Sequence, residues 1–413
     1  MPAGGRYAQV IVDIAVSDTD RVFTYRVPEG MALLPGTRVE VPFGPRQLEG
    51  YVLALTEETQ LPSERIKPVT APLEDYPALL PPLVELAREI SARRHCPLAL
   101  SLRLMLPAEM RAGRVRVKTE LAARLKIPGE EVQAAVKAET RSPKRRLLLQ
   151  LLSDGLPHPV GELKALVRDP LPALRALEEK GLVEVADQEV LRQPFSGEGL
   201  QEKEPVLTPG QEEVLGEILP AIKKGGGAFL LHGVTGSGKT EVYIRAVKEC
   251  LKEGKGAIVL IPEIVLTPQM VSWFRGRFGD VGAVMHSRLS AGERFDEWRR
   301  VRRGEARVVI GARSAVFAPV ERLGLIVVDE EHEPSYQAEN APAYDAREIA
   351  LSRLAYVYIG NAPQLDAGDT ICPRCGETLI VRMGYTTRAA GLERKKCRAC
   401  GREIRLAGEV RES

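Results

Sequence analysis

Along the first hundred residues, short apolar runs alternate with turn residues: Ala8-Gln9-Val10-Ile11-Val12, Val22-Phe23-Thr24-Tyr25, Thr37-Arg38-Val39-Glu40-Val41 and Gly50-Tyr51-Val52-Leu53-Ala54-Leu55. Strands at this spacing predict a small β-rich barrel or sandwich, with a helix after it from Leu80 to about Ala92. From Pro143 the apolar period turns helical, through Leu147-Leu148-Leu149, Val160 to Leu166, and Pro172 to Lys180. That last run stops at Gly181 and leads into Leu182-Val183-Glu184-Val185. Three short helices and a strand entered through glycine suggest a winged helix, which serves either as a DNA reader or as a protein-interaction module.

After a polar, proline-containing stretch at 192–206, which suits a linker, the pattern changes again. Largely apolar runs (Gly227 to His232, Ala257 to Ile261, Val281 to Val284, Ala306 to Ile310, Leu325 to Val328) alternate with helical segments near Lys239, Gln269 to Phe278, and Ala291 to Arg303. Such strands are buried on both faces, which predicts a RecA-like parallel α/β lobe.

Composition adds limits to this picture. A chain of 413 residues can hold two to four domains, and 44% hydrophobic with 28% charged residues is ordinary for a soluble protein. No run of 18 apolar residues and no leading signal-peptide pattern is found, so the expected location is the cytoplasm, with no membrane partner. A net charge of +2 does not announce a nucleic-acid binder, and any basic surface must be local. Four of the six cysteines form two pairs near the C-terminus, and in a reducing compartment that arrangement favours metal over disulfide.

Two motifs carry chemistry. Gly233-Val234-Thr235-Gly236-Ser237-Gly238-Lys239-Thr240 fits G-x-x-x-x-G-K-[ST] between a strand and a helix. Its glycines let backbone N–H groups wrap a polyphosphate, Lys239 supplies a positive charge, and the Thr240 hydroxyl can hold Mg²⁺. About a hundred residues on, Leu325-Ile326-Val327-Val328 delivers Asp329-Glu330-Glu331-His332 at the end of a buried strand. There Asp329 would hold the metal and Glu330 would polarise the attacking water. In this order the two motifs predict ATP binding.

The Asp-Glu-Glu-His run resembles the acidic motif of superfamily 2 helicases. With "LLHGVTGSGKTEVY", "VLIPEIVLTPQM", "MHSRLSAGER", "VVIGARSAVFAPV", "IVVDEEHEPSYQAENAPAYDAREIA", "VFTYRVPEG" and "GTRVEVPFG", the chain resembles the PriA family of primosomal replication-restart helicases from about Tyr7 to Leu354. The resemblance implies ATP-dependent 3′-to-5′ unwinding at stalled forks, with forked or single-stranded DNA, a 3′ end, other primosome proteins and single-strand-binding protein as partners. It assigns Gln211, within Thr208-Pro209-Gly210-Gln211, to adenine recognition, and His332 to coupling ATP state to DNA. Pro262 and Glu263, and Arg313 and Ser314, are assigned to a DNA strand crossing the lobe, and Tyr336, Tyr344 and Arg347 to base stacking. The alternative for Tyr336 and Tyr344 is that they are partly buried loop aromatics. Phe23 and Tyr25 are expected to touch bases at the 3′ end, although Thr24 stands where the family often has an acid. The implied domains are 1–112 (3′-end binding), 113–191 (winged helix), 192–206 (linker), 207–354 (first ATP-binding lobe) and 355–413 (tail).

The tail departs from that family. Cys372-Pro-Arg-Cys375-Gly and Cys397-Arg-Ala-Cys400-Gly are paired knuckles that predict a structural Cys₄ zinc ribbon. Residues 356–404 resemble the C-terminal end of AmmeMemoRadiSam-system radical SAM enzymes, without the radical SAM cluster motif. A second helicase lobe, on the order of 150 residues, is not expected after Leu354, so hydrolysis and unwinding by this chain alone are expected to be weak. The alternatives are a non-catalytic DNA-binding module and a chimeric reading frame. At the seam, Tyr356-Val357-Tyr358-Ile359 is β-prone enough to fill a strand slot beside Leu325 to Val328.

Overall fold

The structure is a computed structural model. It describes residues 7–14, 20–113, 115–192, 205–224, 227–231, 233, 237–353 and 357–360, and in the tail 370–372, 374–375, 377–383, 386–393 and 396–403. Two compact units divide it: residues 1–114 with 195–413, and residues 115–194.

The N-terminal strands are β1 (Tyr7–Val12), β2 (Phe23–Arg26), β3 (Arg38–Phe43), β4 (Arg46–Thr56) and β5 (Ala71–Pro72), in the order β2-β1-β4-β3-β5. All of their pairings are antiparallel. The chain just before β5 also bonds to the far edge, since Arg26 N donates to Lys67 O and Val69 N to Arg26 O, both at 2.9 Å. One segment thus meets both edges and the sheet curls closed, which hides the edges that an open sheet would expose. Alternation along β1, β3 and β4 turns Ala8, Val10, Val12, Val39, Val41 and Val52 into a single core with Tyr25, Leu33 and Val69. Arg38 is 2% exposed and is held by Glu49, Glu74 and the Met110 carbonyl. Such a charge is tolerated in a core because two carboxylates and a carbonyl meet its two terminal nitrogens. Helices α1 (Pro81–Arg94) and α2 (Leu98–Leu104) follow.

The second unit contains β6 (Thr119–Leu125), α3 (Val132–Ala138), α4 (Pro143–Leu151), β7 (His158–Pro159), α5 (Val160–Leu166), α6 (Leu171–Glu179) and β8 (Val183–Glu189). Leu148, Leu149, Leu152, Leu163, Leu174 and Leu177 fill its core under the sheet β7-β6-β8. The three helices expected from the periodicity are α4 to α6. The additional β6 and α3 precede them, where short polar-flanked runs gave no clear period.

The nucleotide-type lobe comprises α7 (Pro209–Lys224), β9 (Phe229–Leu231), α8 (Lys239–Lys252), β10 (Gly256–Leu260), α9 (Pro268–Phe278), β11 (Gly282–Met285), α10 (Ala291–Arg302), β12 (Val308–Gly311), β13 (Leu323–Val328), the short pair β14 (Gln337–Ala338) and β15 (Tyr344–Asp345), α11 (Ala346–Arg353) and β16 (Val357–Gly360). Its parallel sheet has the order β11-β12-β10-β13-β16-β9. All five residues of β10 are buried, and each large aliphatic side chain there contributes about 1.5–3 kcal/mol. β16 takes the slot proposed for it, pairing Ile326 with Val357, Val327 with Tyr358 and Val328 with Ile359, and β9 lies on its other side. The junction at 354–356 lies outside the described residues.

The segment after the barrel strands and the lobe of the first unit touch through two ion pairs and a hydrogen bond. Arg294 on α10 bonds Glu109, Arg302 Nε donates to the Pro77 carbonyl at 2.8 Å, and Arg94 on α1 pairs with Glu348 on α11 at 2.9 Å. In the tail, β17 (Thr370–Ile371), β18 (Thr378–Met383) and β19 (Thr386–Ala389) form one small sheet, and β20 (Leu392–Glu393) pairs with β21 (Lys396–Cys397). No helix among the described residues is long and apolar enough to cross a membrane.

Candidate nucleotide site and cysteine cluster

In a parallel sheet every strand delivers its successor loop to the same edge, so the carboxyl ends of the strands collect chemistry. Here β9 leads to Gly233 and Lys239, β10 to Pro262 and Glu263, β12 to Arg313 and Ser314, and β13 to Asp329 through His332. The two motifs, distant in sequence, thus converge at one edge.

Gly238 precedes α8 with φ +79°, a conformation that disfavours a side chain, and a Cβ there would collide with the Gln211 amide. Gln211 Nε2 donates to the Ser237 and Gly238 carbonyls, both at 3.2 Å, and its Oε1 accepts from Thr208 N at 2.8 Å. The residue expected to read adenine is therefore tied to the phosphate loop and to the start of α7. Lys239 Nζ donates to Gly233 O at 2.7 Å, and Thr240 is half-buried in the first turn of α8. Thr235 and Gly236 lie outside the described residues.

Asp329 is fixed from several directions. Its backbone N–H continues the sheet by donating to Leu260 O at 2.9 Å, and the buried Tyr336 donates to its carbonyl at 2.6 Å. Tyr243 Oη donates to Asp329 Oδ1 at 3.2 Å, and Glu330 N donates to the same oxygen at 3.1 Å. Glu330 adopts φ +45°, a left-handed conformation costly for a non-glycine residue, and that turn brings its N–H onto the carboxylate. Burial, then the neighbouring Glu330 charge, raises the Asp329 pKa, whereas its bonds from Glu330 N and Tyr243 and the charge of Lys239 oppose the rise. A desolvated carboxylate next to another acid is stabilised by a cation, and Asp329 and the Thr240 hydroxyl, both brought to this sheet edge, are oxygen groups of the kind Mg²⁺ takes. His332 sits between Glu330 (3.6 Å) and Glu333 (3.8 Å).

Several residues assigned to DNA are committed elsewhere. Tyr336 and Tyr344 are 1% and 8% exposed, and Tyr344 packs edge-on against Phe317. Arg347, 6% exposed, grips Asp345 through two nitrogens and donates to the Glu331 carbonyl at 2.8 Å. These three form the inner scaffold of the loop that follows the acidic motif, and the buried-aromatic alternative describes the tyrosines. Tyr25 is also buried, with Oη bonded to Pro42 O, and the half-buried Phe23 packs against Phe43. Thr24 Oγ1 donates to Gln9 Oε1 at 3.3 Å. Pro262 is buried, Arg313 turns back to the Ser335 and Gln337 carbonyls, and Glu263 accepts from Ser287. Glu263, Ser314 and Ile264, the last 73% exposed, are open positions of this edge.

In the tail the sulfurs of Cys372, Cys375, Cys397 and Cys400 lie within 4.8 Å of one another. The Cys372–Cys400 and Cys375–Cys397 separations are 3.5 and 3.6 Å. A tetrahedral ion with metal–sulfur bonds of about 2.3 Å needs sulfurs about 3.8 Å apart. Gly401, at φ +69°, folds the second knuckle, and its N–H returns to the Cys397 carbonyl at 2.8 Å.

Residues 9–107 match the 3′DNA-binding domain (3′BD) family of PriA, and residues 208–352 match the DEAD/DEAH box helicase family. The chain is 35% identical to the replication restart protein PriA of Bacillus subtilis, over 87% of this chain and 54% of that protein. It is 32% identical to PriA of Synechocystis over 88% of this chain and 53% of the relative. A shorter stretch, 40% of this chain and 26% of the relative, is 52% identical to PriA of Treponema pallidum. The chain thus spans about half the length of the longest-matched of these relatives.

Proposed function

We propose that this chain, PriA-like between residues 9 and 352, binds ATP with Mg²⁺ and DNA as the ATP-binding portion of a cytoplasmic replication-restart helicase. The observation that carries the reading is the convergence of Lys239, Thr240 and Asp329 at one sheet edge, inside a chain whose N-terminal barrel matches a 3′DNA-binding domain. Lys239 would meet the β- and γ-phosphates, Gln211 would brace the loop that wraps them, and Thr240 with Asp329 would hold the cation. When bound, Mg²⁺ neutralises charge that develops on the transferring phosphoryl group. Glu330 would orient the attacking water, and its strained backbone holds it beside Asp329. His332, in reach of Glu330, would sense that state and pass it to the loop toward Arg313.

DNA would cross the open edge at Glu263, Ile264 and Ser314, while residues 1–112 present a 3′-end site in which Phe23 lines the surface. Residues 113–191 would act as a winged-helix accessory, 192–206 as its tether, and the tail as a structural Cys₄ zinc ribbon. Fork DNA and other primosome proteins are the expected partners, as in the relatives. The test is fluorescent-ATP binding and DNA-stimulated phosphate release by the full chain and by Lys239→Ala. Mg²⁺-dependent binding by the wild type and its loss in the variant, with an unchanged melting temperature, support the reading. Equal binding by both, or none by the wild type, overturns it.

A further inference from the structure

From the geometry around Asp329 we infer that Tyr243 is a positioning residue for the metal carboxylate, and that it couples the phosphate-binding helix to the acidic strand. The inference deepens the ATP–Mg²⁺ reading and rests on it. Tyr243 lies in α8 four residues after Lys239 and three after Thr240, spacing that sets all three along one side of the helix. Its ring is 5% exposed and belongs to the lobe core with Val242, Val247 and Leu325, which fixes the hydroxyl in place. That hydroxyl donates to Asp329 Oδ1 at 3.2 Å. Glu330 N donates to the same atom, so among the described residues the side-chain hydrogen bonds given to Asp329 both fall on Oδ1, on the side away from Oδ2.

Outer donors of this kind orient a ligating carboxylate, and their loss typically lowers metal affinity about 10–100-fold. A Tyr243→Phe variant retains the ring and its packing and removes only the donor. The readout is the Mg²⁺ concentration at half-maximal binding of a fluorescent ATP analogue to the full chain, with a parallel arm in EDTA. The expected result is a midpoint raised about tenfold with full binding regained at saturating Mg²⁺, an equal residual signal for both proteins in EDTA, and rescue at lower concentration by Mn²⁺, which binds such sites more tightly. A variant midpoint within about twofold of the wild type overturns the inference. Loss of binding that saturating Mg²⁺ does not restore also overturns it, since the hydroxyl would then be serving the nucleotide or the fold. A wild-type chain that binds no nucleotide would instead remove the site reading itself, and this inference with it.

Discussion

Arg347 is the residue for which sequence resemblance and structure make opposite predictions. If it stacks on bases, Arg347→Ala should weaken single-stranded DNA binding and leave stability alone. In the structure the residue is 6% exposed, bonds Asp345 through Nε (2.9 Å) and Nη2 (2.5 Å), donates to the Glu331 carbonyl at 2.8 Å and lies 3.6 Å from the Glu331 carboxylate. Truncation therefore leaves a carboxylate whose side chain is only 14% exposed without its cation. Breaking one side of such a buried pair costs about 3–5 kcal/mol. In a unit of more than about 150 residues, each kcal/mol lowers the melting temperature by about 2–4 °C, so the drop should be about 6–20 °C. Differential scanning calorimetry of the full chain measures it, with DNA anisotropy taken well below the transition. An Asp345→Asn, Arg347→Met double variant should recover part of the loss, because the Asp345 charge is then no longer left without its cation, while Glu331, 3.6 Å from Arg347 in the wild type, still loses one. A single variant that melts within about 1 °C of the wild type and binds DNA more than fivefold more weakly, the scale of one lost base stack, would refute the scaffold argument.

Asp345 carries a pH signature: burial pushes its pKa up, but the Arg347 bonds win and hold the carboxyl below the ordinary range. A depressed folded-state pKa contributes stability above the unfolded value, about 3.9, and loses it as pH falls through the folded value. Urea midpoints between pH 5 and 2.5 should thus fall more steeply for the wild type than for Arg347→Ala. At Gly311 an added Cβ would sit 2.6 Å from Ala315 Cβ and against the Met285 carbonyl, so Gly311→Ala should destabilise by about 1–3 kcal/mol in chemical denaturation. For the tail, metal analysis should find about one zinc per chain, lost in Cys375→Ser, with nucleotide binding by the lobe intact.

What the sequence disclosed follows from which signals are local. Continuous apolar strands and the glycine-rich phosphate loop declare themselves within a few residues, because a doubly covered strand tolerates no polar position and a wrapped polyphosphate tolerates few side chains. Even β16 was legible, since a β-prone run beside a strand ending in acids has an obvious place to pair. The closed barrel needed more: its closure depends on Lys67 to Val69 meeting Arg26, a contact across some forty residues that no periodicity encodes. Side-chain roles were harder still. Tyr336, Tyr344 and Arg347 have the residue types of a nucleic-acid surface, yet aromatic rings and guanidinium groups also suit the inside of a loop that must hold a strained Glu330. The difference lies in burial, which is set by the pairing of β14 with β15 and by Asp345 waiting two residues away. Tyr243 shows the converse, because nothing in its neighbourhood along the chain marks it beyond helical spacing from Lys239. Its partner lies 86 residues on, and only the sheet order that sets β13 against α8 brings the hydroxyl to Asp329.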